Sequence, residues 1–217
     1  MSERFMSMKV SILMPVYNEV KTIRDVLELV KSVNLDKEII LVDDFSTDGT
    51  REVLKDEYSD GSGEIKVFYH DRNRGKGAAI RTALDNAAGD YVIVQDADME
   101  YSPKDMISMA EFAEQTGAKA VYGSRFLKTW RTTSLPHFLV NKTLTVLTNL
   151  LFGGSLTDME TCYKMVRTDV IHGLDIRASR FEFEPEVSAK LLKRGISIEE
   201  IPVSYRGRGY NEGKKIG

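Results

Sequence analysis

Apolar and polar positions along this chain alternate in short blocks. Val10 to Met14 is a brief apolar run with strand character. Val20, Ile23, Val26, Leu27 and Val30 then recur at three- and four-residue spacing, which predicts an amphipathic helix. Glu38 to Val42 reads as a second strand, and Thr47-Asp48-Gly49 is turn chemistry that leads into a helix through Glu52, Val53 and Leu54. Ile65 to Tyr69 forms a third strand, Gly75 to Ala88 a small-residue helix, and Asp90 to Gln95 a fourth strand. Pro103 to Thr116 follows as a helix with proline in its first turn, then Ala118 to Tyr122 as another strand. Strands alternating with helices in this way predict an α/β domain built on a parallel sheet.

The second half is less regular. Phe138 to Phe152 is apolar and helical in pattern, Glu184 to Lys193 is an amphipathic helix, and Ile196 to Val203 reads as a late strand. The polar first residues, 1–8, are expected to be a disordered leader. Residues 206–217, basic and glycine-rich, are expected to be a mobile loop or tail. No repeat or low-complexity linker interrupts the chain, so the expectation is one domain over residues 1–217.

Composition narrows the classes. With 217 residues, 42% hydrophobic and 29% charged, the chain has the make-up of a soluble globular protein with a substantial core. A net charge of −3 argues against general nucleic-acid binding, so no nucleic-acid partner is expected. The single cysteine, Cys162, excludes an intrachain disulfide and a Cys-based zinc site, and it agrees with a reducing cytosolic setting. No secretory signal precedes the first strand, and no apolar run reaches the roughly 18 to 20 residues of a membrane span.

The chemistry concentrates at the predicted strand ends. Asp96 and Asp98 follow the run Tyr91 to Val94, and alternation points both carboxylates to one side, where they can clamp a divalent cation. Oxygen donors without His or Cys favour magnesium or manganese over zinc, and such an ion suits a diphosphate substrate. An isolated D-x-D also occurs as a plain strand end, so the neighbouring loops must decide. Tyr17 and Asn18 follow strand one, Asp44 follows strand two, and Asn73-Arg74-Gly75-Lys76-Gly77 precedes a helix. In open α/β sheets such loops converge on one crevice at the carboxyl ends of the strands. There Tyr17 can cover a base, Asp44 can accept from a base N–H, and the glycines beside Lys76 admit close backbone approach. Asn18 and Asp48 serve equally well as helix caps. The glycine segment matches neither the Walker pattern nor the dinucleotide fingerprint, which disfavours kinase, ATPase and dehydrogenase readings.

Taken in order, PVYNE, VDDFSTDGT, NRGKGAA and QDADMEYSP resemble the family 2 glycosyltransferases of GT-A fold. GSRF, NKTLTVLTNLLF, TDMETCYK, FEPEV and YRGRGYNEGKK continue the likeness toward the branch of dolichyl-phosphate mannosyltransferases and bacterial polyprenyl-phosphate glycosyltransferases. The resemblance implies a mostly parallel, mixed central sheet flanked by helices. It implies an inverting hexosyltransferase that moves a sugar from GDP-mannose or a UDP-hexose to a dolichyl or undecaprenyl phosphate, with Mg2+ or Mn2+. Pro15, Tyr17, Glu19, Asp44, Lys76, Asp96 and Ala97 would surround the nucleotide. Asp96, Asp98 and Glu100 would meet the metal, with Asp98 catalytic.

On the acceptor side, the resemblance makes Arg125, Lys142 and Arg208 candidates for the lipid phosphate, with Arg206, Lys214 and Lys215 as further cations. Asp158 would act as base or position the acceptor, although it can equally cap a turn. Glu184 and Glu186 are second candidates. The helix Phe138 to Phe152 is either a core helix or a surface that lies on a membrane or frames the lipid tail. Val140 departs from the glycine common in relatives, and relatives often continue past the basic end. The implied setting is the cytoplasmic face of a membrane, reached by peripheral contact or through a separate membrane subunit. The rival readings are a family 2 enzyme with a soluble or glycan hydroxyl acceptor, and a non-catalytic nucleotide-sugar-binding scaffold.

Overall fold

The computed structural model describes residues 8–58, 63–127 and 135–207. Its elements run β1 (Val10–Val16), α1 (Ile23–Ser32), β2 (Lys37–Asp43), α2 (Thr50–Tyr58), β3 (Ile65–Tyr69), α3 (Lys76–Leu84) and β4 (Tyr91–Val94). There follow α4 (Asp105–Thr116), β5 (Ala120–Ser124), α5 (Leu135–Phe152), β6 (Lys164–Arg167), α6 (Thr168–Gly173), α7 (Phe183–Lys193) and β7 (Glu199–Pro202). The strands form a 7-stranded sheet in the order β3-β2-β1-β4-β6-β5-β7. β1, β2, β3 and β4 are mutually parallel, β7 is parallel to β5, and β6 runs against both of its neighbours.

The apolar runs explain the centre of the sheet. β1, β2 and β4 are buried nearly end to end, as strands covered by helices on both faces must be. Ile23, Val26, Leu27 and Val30 turn the buried stripe of α1 inward, as their spacing requires. α3 buries Gly77, Ala78, Ala79 and Ala83, so its slim face sits close against β1 and β2. Gly117 ends α4 in the left-handed conformation, with φ of 67°, where glycine carries no Cβ penalty.

Several expectations shift. α3 ends at Leu84 instead of Ala88, and β7 shrinks to Glu199–Pro202. Pro103 lies in a turn ahead of α4. β6 and α6 have no counterpart in the pattern reading. A four-residue strand preceded by the polar run Thr157 to Thr161 gives too short an apolar signal to register. The expectations for the leader and for the tail beyond Gly207 fall outside the described residues.

One buried polar node ties β1, β2 and β3 together. Glu38 is 3% exposed and accepts from Ser11 Oγ at 2.6 Å, Lys66 Nζ at 2.7 Å and Ala88 N at 2.6 Å. Burial alone would raise its pKa, but these donors outweigh it and hold the carboxyl down to about 2 from the usual 4.5. A depressed carboxylate stabilises the fold above its unfolded value, and that stabilisation is lost as pH falls from 4.5 towards 2. Urea titrations through this window should therefore show stability falling less steeply in Glu38→Gln than in the parent chain. Equal slopes would remove Glu38 from the acid response.

Candidate active site

The strand order reverses at β1: the chain builds outward through β2 and β3, then returns to place β4 on the other flank of β1. Loops leaving β1 and β4 at that reversal diverge and open a crevice, the place where open α/β sheets bind ligands.

Pro15 sits within β1 opposite Val42, partly exposed. Tyr17 is 39% exposed at the rim. Asn18 takes φ of 52°, donates its N–H to Ser46 Oγ at 2.9 Å and accepts from Thr47 N at 2.8 Å. The Glu19 N–H reaches Thr50 Oγ1 at 2.9 Å, and Asp48 accepts from Val20 N at 3.1 Å and Thr50 N at 3.0 Å. Asn18 therefore ties the β1 loop to the β2 loop and caps no helix, whereas Asp48 does both jobs at once. The Thr22 hydroxyl lies 2.7 Å from Ala97 O and 2.9 Å from Glu19 Oε2, which joins this rim to the aspartate loop.

Asp44 is 3% exposed and already engaged. Its oxygens accept from His70 Nδ1 at 2.7 Å, Arg74 N at 2.8 Å and Gly75 N at 2.7 Å. A nucleotide base would share this carboxylate with the loop it organises. The glycines do not leave backbone open to a ligand as the sequence reading expects. A Cβ on Gly75 would fall 2.3 Å from Ser179 O, and one on Gly77 would fall 2.7 Å from Ala178 O. The amides of Gly77 and Ala78 bond to Arg180 O and Ser179 O, so the chain's own loop takes the space and the donors at the start of α3.

Lys76, on the first turn of α3, meets both oxygens of Asp96 at 2.9 and 3.0 Å and Glu184 Oε1, from α7, at 2.9 Å. Burial works against its charge, but Asp96 and Glu184 more than compensate and push its proton affinity well above the usual lysine value. Asp98 is partly buried beside a left-handed Met99, φ 64°, and its Oδ1 accepts the Glu100 N–H at 3.1 Å. Glu100 Oε2 accepts the Tyr205 hydroxyl at 2.7 Å, and Glu100 O accepts Arg206 N at 2.8 Å. The segment after β7 is thus strapped across the aspartate loop, with Tyr205 edge-on to Tyr101 at 5.1 Å.

The donor chemistry around Asp96, Asp98 and Glu100 is oxygen-only and anionic, which suits a hard divalent cation. Among the described residues, no three carboxylate, His or Cys side chains converge as a ready cage. The protein's own ammonium, Lys76, stands in as the cation on Asp96.

Arg125 and Asp158 embrace each other on the other flank. Arg125 Nε and an Nη lie 2.7 Å from the two Asp158 oxygens, and Arg125 N donates to Oδ2 at 3.0 Å. Asp158 is fully buried and Arg125 is 8% exposed. A base role for Asp158 requires one of these bonds to be exchanged, whereas Arg125 has three guanidinium N–H donors beyond the two that meet Asp158. Lys142, on α5, donates to Thr157 O at 2.9 Å. Arg208, Lys214 and Lys215 lie outside the described residues.

Residues that the sequence reading passed over hold this turn. Glu200, on β7, accepts from Thr157 N at 2.7 Å and Asp158 N at 3.1 Å. Lys164 is buried, donates to Met159 O at 2.6 Å and Thr161 O at 2.7 Å, and burial lowers its proton affinity to about 8. Neither stands out in the sequence, because Glu200 follows another glutamate in β7 and Lys164 opens the short strand β6.

α5 is inverted relative to a core helix. Its fully buried positions are Thr145 and Thr148, while Leu135, Leu139, Val140, Val146, Leu147, Leu150 and Leu151 are exposed, the last two by 77% and 72%. Val140, at 60% exposure, meets no tight packing.

A mixed sheet with this order, its crevice at the β1/β4 reversal and an acidic loop after β4, is the GT-A fold. A mannosyltransferase from Pyrobaculum calidifontis, solved with GDP-Man and Mn2+, superposes with a TM-score of 0.65 at 18% identity, over 90% of this chain and 55% of its own. The chain belongs to glycosyl transferase family 2, whose model matches residues 11–174. It is 29% identical to the undecaprenyl-phosphate 4-deoxy-4-formamido-L-arabinose transferase of Pectobacterium atrosepticum, over 88% of this chain and 59% of that protein. It is 26% identical to the dolichol-phosphate mannosyltransferase of Pyrococcus furiosus, over 97% of this chain and 60% of that protein. The chain therefore spans about three fifths of the length of these curated relatives.

Proposed function

We propose that this chain is an inverting glycosyltransferase that moves a hexose from a nucleoside diphosphate sugar to a polyprenyl phosphate. The observation that carries the lipid acceptor is α5. Its leucines face outward over threonines, and Lys142 on the same helix reaches the turn that holds Asp158. A soluble hydroxyl acceptor has no use for such a face. The two curated relatives act, by name, on undecaprenyl phosphate and dolichol phosphate.

In this reading Pro15, Tyr17, Glu19, Asp44, Lys76, Asp96 and Ala97 frame the donor nucleotide and diphosphate. A divalent cation, Mg2+ or Mn2+, held through Asp98 and Glu100 with Asp96, supplies Lewis-acid stabilisation of the departing diphosphate. An oxygen of the acceptor phosphate attacks the anomeric carbon, and the bond to the diphosphate oxygen breaks with its electron pair leaving on the nucleotide. A phosphate acceptor is anionic near neutral pH, so little proton removal is needed. Arg125, Lys142 and Arg208 orient that phosphate, and Asp158 holds Arg125 in place. No helix among the described residues is long and apolar enough to cross a membrane. Support for membrane contact, which this reading puts at the cytoplasmic face, comes from α5, which can lie in a bilayer interface or against a membrane subunit.

Labelled GDP-mannose and UDP-hexoses, supplied with polyprenyl phosphate in vesicles, should give label in the lipid phase that EDTA abolishes. Absence of metal-dependent lipid label across these donors would defeat the reading. Leu150→Glu/Leu151→Glu should cut vesicle co-sedimentation and transfer by about tenfold or more with an unchanged melting temperature. Unchanged co-sedimentation would remove α5 from the membrane surface.

A further inference from the structure

Lys76 is shared between carboxylates delivered by two separate elements. Its Nζ lies 2.9 and 3.0 Å from the oxygens of Asp96, after β4, and 2.9 Å from Glu184 Oε1, on the first turn of α7. The side chains are 17%, 21% and 8% exposed, so this is an enclosed cluster with one positive charge facing two negative ones. As the structure stands, both Asp96 oxygens contact the ammonium, and a cation held by Asp96 would meet that positive charge at about 3 Å from the same carboxylate, a repulsion that favours displacing the ammonium. An ammonium displaced inside the protein is costly unless another anion receives it. Glu184 is that anion, already in contact.

We infer that Glu184 is a positioning residue that frees Asp96 for its ligand. When the donor and its cation arrive, Lys76 leaves Asp96 and remains paired with Glu184, so the exchange proceeds without stranding a buried charge. Glu184 lies on α7, away from the aspartate loop, and reaches Asp96 through Lys76; its charge also favours the buried ammonium of Lys164. Its contact with Lys76 gives it a different task from the removal of a proton from the acceptor. The inference rests on the reading of Asp96 as a carboxylate that meets the metal and diphosphate. It separates from a purely structural role, in which Glu184 merely clamps α7 to α3, because a clamp would alter stability without altering cation affinity through Lys76.

Mn2+ uptake by the whole chain, followed by electron paramagnetic resonance with saturating UDP and, separately, GDP, tests it without recourse to turnover. Glu184→Gln should weaken Mn2+ binding by about tenfold, since the ammonium then has only Asp96 to hold. Glu184→Gln/Lys76→Met removes the competitor and, with nucleotide raised until its occupancy in each variant is verified as saturating, should return affinity to within about threefold of the parent chain. Wild-type affinity in Glu184→Gln, or no recovery in the double variant, overturns the inference while leaving the metal reading intact. No uptake by the parent chain with either nucleotide overturns the metal reading and this inference with it. A structure of the parent chain with Mn2+ and nucleoside diphosphate decides the matter without substitutions. Lys76 off Asp96 and still about 3 Å from Glu184 supports the exchange. Lys76 still on Asp96 beside a bound cation refutes it.

Discussion

Asp98→Ala is expected to lower sugar transfer by about a thousandfold, because in the proposed function it removes a carboxylate that would hold the cation at the leaving diphosphate, an effect worth several kcal/mol. The fold should scarcely notice. Asp98 lies partly buried on a loop beyond β4, outside the packed sheet, where its Oδ1 accepts the Glu100 amide at 3.1 Å. The melting temperature should therefore shift by only a few degrees while turnover collapses, and this divergence separates an enzyme from a nucleotide-sugar-binding scaffold. Turnover above about a tenth of the parent value, measured with labelled donor at saturating Mn2+, would take Asp98 out of the chemistry.

The largest loss of stability is expected from Arg125→Met. That substitution leaves the Asp158 carboxylate, fully buried, without the two 2.7 Å bonds that now compensate its charge. Breaking one side of a buried pair typically costs about 3–5 kcal/mol, here about 10 °C in melting temperature. Arg125→Lys should recover little, because an ammonium cannot reproduce the planar two-point contact. Arg125→Met/Asp158→Leu should regain most of the loss, since both charges then leave together. Calorimetry on the four proteins decides it. A loss under about 1 kcal/mol in Arg125→Met would mean that Asp158 finds another partner.

What the chain reveals before folding follows from how local each signal is. β1 to β5 and α1 were legible because burial on both faces of a strand, or along one stripe of a helix, writes itself into a few consecutive residues. The aspartate loop was legible for the same reason, since Asp96 and Asp98 are neighbours. Who neutralises Asp96 was not. Lys76 and Glu184 arrive from α3 and α7, and only the sheet order brings them together. The glycine segment shows the same limit in reverse. Gly75 and Gly77 were read as letting backbone approach a ligand, whereas the backbone that approaches them is residues 178–180 of the chain itself. On α5, the alternatives of core and surface stayed open in the sequence because apolar residues line most of the helix. Only the burial of Thr145 and Thr148 fixes which side faces inward.

The reversed strand β6 has a consequence for how this protein can vary. β5 and β6 are consecutive and antiparallel, and the hydrogen bond from Gly123 N to Tyr163 O, 2.8 Å, closes their shared end. The described residues between them, including α5 and the Arg125–Asp158 turn, leave the sheet and re-enter it at one doorway. That stretch behaves as a cassette. Changes of length or sequence there leave the register of β1 to β4 untouched, so under the proposed function acceptor preference can diverge without rebuilding the donor half.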